Sequence, residues 1–357
     1  MRHNKSGGQT SLSRLVHPLF IIDPAPHPVL TPLNNPSTAM TIPATAHFCW
    51  IGPDLPWAYG FAVLSCARQG GLARVILHHT DDLAPTPVLA ALRAAPGVEL
   101  RRIAPAAALA PAESALNRPG ALTALYQRMP SPAIKSDILR TAILFTEGGL
   151  YLDTDTLTLA PLTPLLHTAQ FIGTESIIWP HFVRVSRNPL LLARYGALDL
   201  ARKACRLLPQ GWRAFRLVER FCFPGINGAV MGAAPGTALF ARALTAMLDM
   251  PPLRQSEPNA LGPDLLQTLT EQAAPGEITI HPPALFYPLP PEISQHWFRP
   301  TRRVRLAAML PPKTRLVHWY ASVRSKPYVA EITPAFVRAH AATQPYSALV
   351  LRALPDL

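Results

Sequence analysis

Apolar positions near the start of the chain fall into short runs separated by stretches with helical spacing. Residues 46–51, 74–79 and 98–103 are short apolar runs, which predict strands. Residues 56–69 and 87–95 lie between these runs and suit helices. Strands that alternate with helices predict parallel pairing in an α/β sheet. Ligands of such sheets bind beyond the carboxyl ends of the strands.

The same patterns continue to the end of the chain. They predict further strands at residues 170–174, 225–232 and 316–320, and helices at residues 189–220, 235–250, 262–272 and 334–351. Residues 1–40 are rich in Ser, Asn, Pro and Gly without periodicity, which predicts a poorly ordered arm. We therefore expect one domain over residues 41–357, with a helical elaboration near residues 185–222.

The most informative stretch spans residues 135–156. Apolar side chains at helical spacing over residues 138–145 end at a pair of glycines, which is typical of a helix C-terminus. A short strand at residues 150–152 then leads to Asp153 and Asp155. Because residues i and i+2 of a strand point to the same side, both carboxylates are expected to face one divalent cation. Such a pair in an ordinary turn is the alternative.

Two further charged residues precede this strand. Asp137 and Arg140 are three positions apart on the predicted helix, so their side chains share a face. They are expected either to join the aspartates around one pocket or to form only a surface pair. Hard carboxylate oxygens suit Mn²⁺ or Mg²⁺ bound together with substrate phosphates.

Charge and cysteine usage narrow the class of protein. The 357-residue chain carries a formal net charge of +12, which favours an anionic partner. Its four cysteines lack the spacing of a zinc site or a disulfide framework. No helix-turn-helix, zinc or aromatic-basic pattern supports nucleic-acid binding, so no nucleic acid is expected as a partner.

The stretch SDILR…GGLYLDTD resembles the sugar-binding region containing a DXD motif found in family 32 glycosyltransferases. These are related to mannosyltransferases, α1,4-transferases and the glucosylating clostridial toxins. A second match is IPATAHFCWIGPDLP at residues 42–56. A third, weaker match is HPP with FYP at residues 281–288, and a fourth is VHW at residues 317–319. The resemblance implies a GT-A-like fold, a Rossmann-type mixed sheet flanked by helices, and retaining transfer from a nucleoside-diphosphate sugar.

The resemblance also assigns roles to individual residues. It implies a catalytic set of Asp137, Arg140, Asp153 and Asp155, and a Mn²⁺ (or Mg²⁺) site of Asp153, Asp155 and His318. The implied donor-binding residues are Trp50, which would stack on the base, together with Asp137, Arg140, Tyr151, Asp153 and Asn227. From the residues alone, Trp50 and His318 are equally well explained as core side chains.

We therefore expect a bacterial-type, metal-dependent transferase that uses a UDP- or GDP-sugar and a glycan or lipid-linked acceptor in surface polysaccharide synthesis. The alternatives are a toxin-like transferase that modifies a protein and a non-catalytic sugar- or anion-binding protein. We expect a cytoplasmic location. The basic segment 189–220 is either a solvated face or a peripheral contact with anionic lipid at the inner face of the membrane.

Overall fold

The computed structural model of the protein describes residues 41–321 and 326–357. The predicted arm over residues 1–40 lies outside the described residues, and the single domain over residues 41–357 stays a prediction. Within the described ranges, no helix has both the length and the apolar character needed to cross a membrane.

The strands of the described residues are β1 Thr45–Trp50, β2 Arg74–His79, β3 Val98–Arg102, β4 Gly149–Leu152, β5 Thr156–Thr158, β6 Gln170–Ile177, β7 Phe223–Ala233, β8 Thr279–His281 and β9 Leu316–His318. Seven of them form one mixed sheet in the order β3-β2-β1-β4-β7-β6-β8, and β5 and β9 form a small antiparallel sheet. Strands β3, β2, β1 and β4 are parallel, whereas β7 is antiparallel to both β4 and β6.

Helices pack around this sheet. They are α1 Trp57–Gln69, α2 Pro87–Ala94, α3 Pro105–Ala115, α4 Ala121–Arg128, α5 Pro132–Thr146, α6 His181–Arg184, α7 Pro189–Leu207, α8 Gly211–Glu219, α9 Ala238–Asp249, α10 Pro252–Gln255, α11 Pro263–Glu271, α12 Pro283–Phe286, α13 Leu306–Met309, α14 Lys326–Val329, α15 Pro334–His340 and α16 Pro345–Ala353. The predicted α/β class and the mixed sheet flanked by helices are confirmed.

Helix α5 shows how local sequence sets an element. Ser131 caps its N-terminus by accepting a hydrogen bond from the Ile134 N–H, and Pro132 occupies the first helical position. The helix ends before Gly148, whose φ of +67° is the left-handed conformation that a glycine adopts without a Cβ penalty. Its apolar positions are buried in a core shared with α9 and α11. The predicted helix, glycine stop and strand are therefore confirmed.

One expectation about the chain was wrong. The last helix is interrupted, because Pro345 favours an extended Gln344 (φ −116°, ψ 120°) and then starts α16. The sheet is mixed because β7 is antiparallel to both of its neighbours. Strands β6 and β7 pair as a hairpin from Ile177 opposite Phe223, and the helical segment 181–222 is inserted between their paired ends. A chain that returns directly along the neighbouring strand must run antiparallel.

Candidate active site

Asp153 and Asp155 lie in the tight turn between β4 and β5. The Asp153 carbonyl accepts hydrogen bonds from the N–H (3.1 Å) and the hydroxyl (2.8 Å) of Thr156. We expected the two carboxylates to face the same side because residues i and i+2 of a strand do so. That reason is wrong, because the two aspartates lie in a turn and not in a strand. The turn brings the two carboxylates together, and Asp153, Asp155 and His318 each place one ligand atom within 4.8 Å of the others.

His318 reaches the site through the small sheet, in which it is the register partner of Thr156. Its Nε2 donates to Asp155 Oδ1 at 2.9 Å, and Asp155 Oδ2 accepts from the Ala321 N–H at 2.8 Å. Burial acts to lower the pKa of His318, but the Asp155 carboxylate raises it above its usual value. Burial acts to raise the pKa of Asp155, yet His318 holds it below its usual value. His318 thus contacts the predicted metal site.

Asp137 and Arg140 form an ion pair in which each residue is only 7% exposed. Arg140 also reaches Asp153, with 3.3 Å between its guanidinium nitrogen and Oδ1. Burial raises the pKa of Asp137 to about 6, although the neighbouring guanidinium favours the ionised carboxylate. An exposed helix-surface pair is thereby excluded, because Arg140 links two carboxylates inside the protein.

Tyr151 fixes the other side of Asp153. The Tyr151 hydroxyl donates to Asp153 Oδ1 at 2.8 Å and lies 3.2 Å from Ser136 Oγ. Burial raises the pKa of Tyr151 well above its usual value, so the phenol stays protonated. Tyr151 therefore acts as a hydrogen-bond donor that orients the Asp153 carboxylate.

Two glycines allow this cluster to close. A Cβ on Gly262, just before α11, would lie 2.7 Å and 2.8 Å from the Asp137 carboxylate oxygens. A Cβ on Gly228 would lie 2.9 Å from a guanidinium nitrogen of Arg140. Their missing side chains let α11 and β7 approach the charged pair.

Trp50 lies at the end of β1, next to β4 in the sheet. Its ring is half-buried and packs on Tyr59 with 4.8 Å between the ring centroids. Its indole N–H has no hydrogen-bond partner among the described residues. Burial raises the pKa of Tyr59 to about 12, and the charge of Asp155 adds to the rise, which places Tyr59 near the aspartates. Stacking of Trp50 on a base stays a prediction.

Asn227 is buried, and its side-chain oxygen is already engaged. Its Oδ1 accepts from the Ala229 N–H at 2.7 Å and from the Tyr287 hydroxyl at 3.3 Å. Asn227 thus joins β7 to Tyr287. Its contact with a donor sugar stays a prediction.

The sequence interpretation missed a buried acid, Glu175 on β6. Its Oε2 accepts from the Tyr320 hydroxyl at 2.6 Å, and the Tyr320 ring lies 4.0 Å from the His318 ring. Burial raises the pKa of Glu175 above its usual value. Only the position of Tyr320, directly after the VHW motif, was a local signal for this group.

The donor set fits a divalent cation. The two carboxylates are hard ligands and the imidazole is a borderline ligand. Mn²⁺ binds such ligands more readily than it binds a set rich in thiols. His318 Nδ1 is also buried without a hydrogen-bond partner among the described residues. With His318 neutral, three carboxylates face one guanidinium, which leaves two negative charges for a divalent cation to balance.

Comparison with known proteins gives one family match. Residues 106–172 match the model of the glycosyltransferase sugar-binding region containing a DXD motif. This range includes Asp137, Arg140, Tyr151, Asp153 and Asp155. No curated protein matches the chain.

Several solved structures are distantly similar. The PaToxG glycosyltransferase is 14% identical, over 66% of this chain and 71% of that one, with a TM-score of 0.37. The UDP-bound glycosyltransferase domain of the YGT toxin is 12% identical, over 68% of this chain and 80% of that one, with a TM-score of 0.39. The galactosyltransferase LgtC, in complex with donor and acceptor sugar analogues, is 14% identical over 83% of this chain and 99% of that one, with a TM-score of 0.36. These likenesses are too distant to specify function.

The family match and the buried aspartate cluster fall on the same residues. The sequence pattern that resembled a DXD region is therefore the segment that the family model covers. Residues 106–172 therefore carry the sequence pattern of the glycosyltransferase sugar-binding region that contains the DXD motif.

Proposed function

We propose that the protein is a metal-dependent, retaining glycosyltransferase that moves a sugar from a UDP- or GDP-sugar to a glycan or lipid-linked acceptor in surface polysaccharide synthesis. The observation that carries the proposal is the convergence of Asp153, Asp155 and His318 beside the buried pair of Asp137 and Arg140. A cation held by the first three residues would offset the charge of the leaving diphosphate.

The protein's own residues have separate tasks in this proposal. Asp137 would accept hydrogen bonds from hydroxyls of the donor sugar, and Arg140 would face the sugar and the diphosphate. Because Arg140 is already fixed between Asp137 and Asp153, its charge needs little reorganisation when the diphosphate leaves. Trp50 would stack on the base from the end of β1.

The transfer breaks the bond between the anomeric carbon and the diphosphate oxygen and forms a bond to the acceptor hydroxyl oxygen. The acceptor would attack from the side of the leaving group, and a diphosphate oxygen would take its proton. No protein nucleophile is assigned. A peripheral contact with an anionic membrane, where a lipid-linked acceptor is found, is part of the proposal.

A panel of nucleotide sugars with Mn²⁺ tests the donor site. The correct donor at about 100 times its Kd is expected to stabilise the fold by about 2.7 kcal/mol, seen as a rise in Tm. It should also be hydrolysed slowly in the presence of Mn²⁺, and Trp50→Ala should weaken its binding. The proposal would be contradicted if no nucleotide sugar raised the Tm of the protein and none was hydrolysed by it.

A further inference from the structure

The helical insertion 181–222, between the paired ends of β6 and β7, carries an unusual distribution of side chains. A helix at a protein surface normally turns its apolar stripe toward the core and its charges toward water. Helix α7 departs from this pattern on its outer side. Its inner side buries Tyr195, Leu198 and Cys205 together with ion pairs, yet its outer side is also apolar.

The inner side of α7 is held by ion pairs. Arg202 pairs with Asp199 and with Glu292, the second pair with 2.6 Å between nitrogen and oxygen. The Arg206 Nε–H donates to the Glu292 carbonyl oxygen at 2.8 Å. These side chains are buried or nearly so. The helix is thus fixed to the body of the protein by charged groups as well as by its buried apolar side chains.

The outer face of α7 consists of six exposed residues spaced three or four apart, which places them in one stripe. Leu190, Leu200 and Leu207 are 81%, 69% and 82% exposed. The stripe comprises Leu190, Ala193, Ala197, Leu200, Ala204 and Leu207. Helix α8, which packs against α7, exposes Leu217 (72%), and Phe221 just after it is 45% exposed. No described residue covers these side chains.

The insertion also exposes six cations, which we call the basic rim. The exposed cations of the insertion are Arg184, Arg187, Arg194, Lys203, Arg213 and Arg220. Both acids of the insertion have partners within the protein. Asp199 pairs with Arg202 and Lys203, and Glu219 accepts from Ser176 Oγ at 2.9 Å. The insertion therefore presents leucine and arginine to the solvent without a freely exposed carboxylate.

We propose that the outer face of α7, with Leu217, Phe221 and the basic rim, docks on the surface of an anionic lipid bilayer. The leucines enter the boundary between headgroups and acyl chains, while the cations contact anionic headgroups. Nucleic acid would leave the leucine stripe in water, and a zwitterionic surface would leave the rim unmatched. This inference deepens the membrane contact of the proposed function, but it does not depend on the transfer reaction.

Co-sedimentation of the full chain with vesicles tests the surface without donor or metal, so its outcome is separate from the transferase proposal. Binding is expected to vesicles of phosphatidylcholine with about a third phosphatidylglycerol, and to fall steeply on replacing the phosphatidylglycerol or adding salt. Leu200→Glu and Leu207→Glu are each expected to weaken binding about tenfold. Leu253→Glu is the matched control, because Leu253 is 91% exposed on α10.

A second pair of variants tests the rim. Arg213→Glu with Arg220→Glu should weaken binding to anionic vesicles at least about twentyfold, whereas Arg93→Glu on α2 should not. Circular dichroism and Tm report whether each variant folds. Binding that ignores lipid charge, or that Leu200→Glu leaves unchanged, would overturn the proposal. So would a dimer in sedimentation velocity that Leu200→Glu dissociates while wild type ignores vesicles, since a second copy would then be the occupant.

Discussion

His318 Nε2 lies 2.9 Å from Asp155 Oδ1, although the two residues are 163 positions apart in the chain. The small sheet of β5 and β9 makes this contact, because it pairs His318 with Thr156 directly after the aspartate turn. The second Asp155 oxygen is held by the Ala321 N–H. Strand β9 and Ala321 after it thus hold both carboxylate oxygens of Asp155.

Asp155→Asn is expected to weaken Mn²⁺ binding at least about 100-fold and to abolish Mn²⁺-stimulated hydrolysis of the donor, because an amide supplies less charge to the cation. Calorimetric titration of Mn²⁺ and a hydrolysis assay measure the two effects. Asp356→Asn is the control, since Asp356 is exposed and pairs only with Arg68 among the described residues. Unchanged Mn²⁺ binding in Asp155→Asn would refute the metal assignment.

Arg140→Lys is expected to lower donor turnover by about tenfold or more. A lysine is a point charge and cannot bridge Asp137 and Asp153 as the guanidinium does. One buried carboxylate then loses its partner, at a cost of about 1–3 kcal/mol in the free energy of unfolding. Initial rates and urea unfolding measure both. Arg128→Lys, at an exposed arginine that bonds Gln255, should leave the rate unchanged.

Gly262→Ala tests the close approach of α11 to Asp137. Its Cβ would crowd both carboxylate oxygens, so Asp137 must shift, at a cost of about 1–3 kcal/mol. We expect donor binding to weaken about tenfold in a thermal-shift titration. Gly196→Ala is the matched control, because a Cβ there meets nothing within 4 Å in α7 and should stabilise the fold by about 0.5–1 kcal/mol. Normal donor binding by Gly262→Ala would argue against an Asp137 contact with the donor.

A buried histidine pair makes stability depend on pH. His47 Nδ1 lies 2.9 Å from His78 Nε2, and burial lowers the pKa of His47 to about 4 and that of His78 to about 3. Below about pH 6.5 these histidines become protonated in the unfolded chain but stay neutral in the folded chain. Their contribution to the free energy of unfolding is therefore full above that pH and decreases as the pH drops toward 4. For His47 alone the shift corresponds to about 3 kcal/mol.

Urea unfolding at several pH values between 7 and 4 measures this dependence. His78→Phe should be less stable than wild type at pH 7, yet lose less stability on acidification. His167→Gln, at an exposed histidine, should keep the wild-type slope. A wild-type slope in His78→Phe would show that other groups govern the acid sensitivity.

Much of the fold could be predicted because its signals are local. The helix that carries Asp137 and Arg140, its glycine stop and the strand before Asp153 follow from periodicity and capping within about twenty residues. The split of the last helix was also readable, since Pro345 is a local signal. The direction of β7 was not, because it depends on which strands the chain meets after the insertion.

The sequence by itself determined the two aspartates, the residues around them and the family pattern that they share. Only the tertiary structure decided that Asp137 and Arg140 are buried together, and that Glu175 and Tyr320 stand beside His318. It also decided that α7 exposes Leu190, Leu200 and Leu207 while it buries Leu198. Helical and strand periods are set by neighbours a few residues apart, whereas burial and strand pairing depend on contacts between segments that only the folded chain brings together.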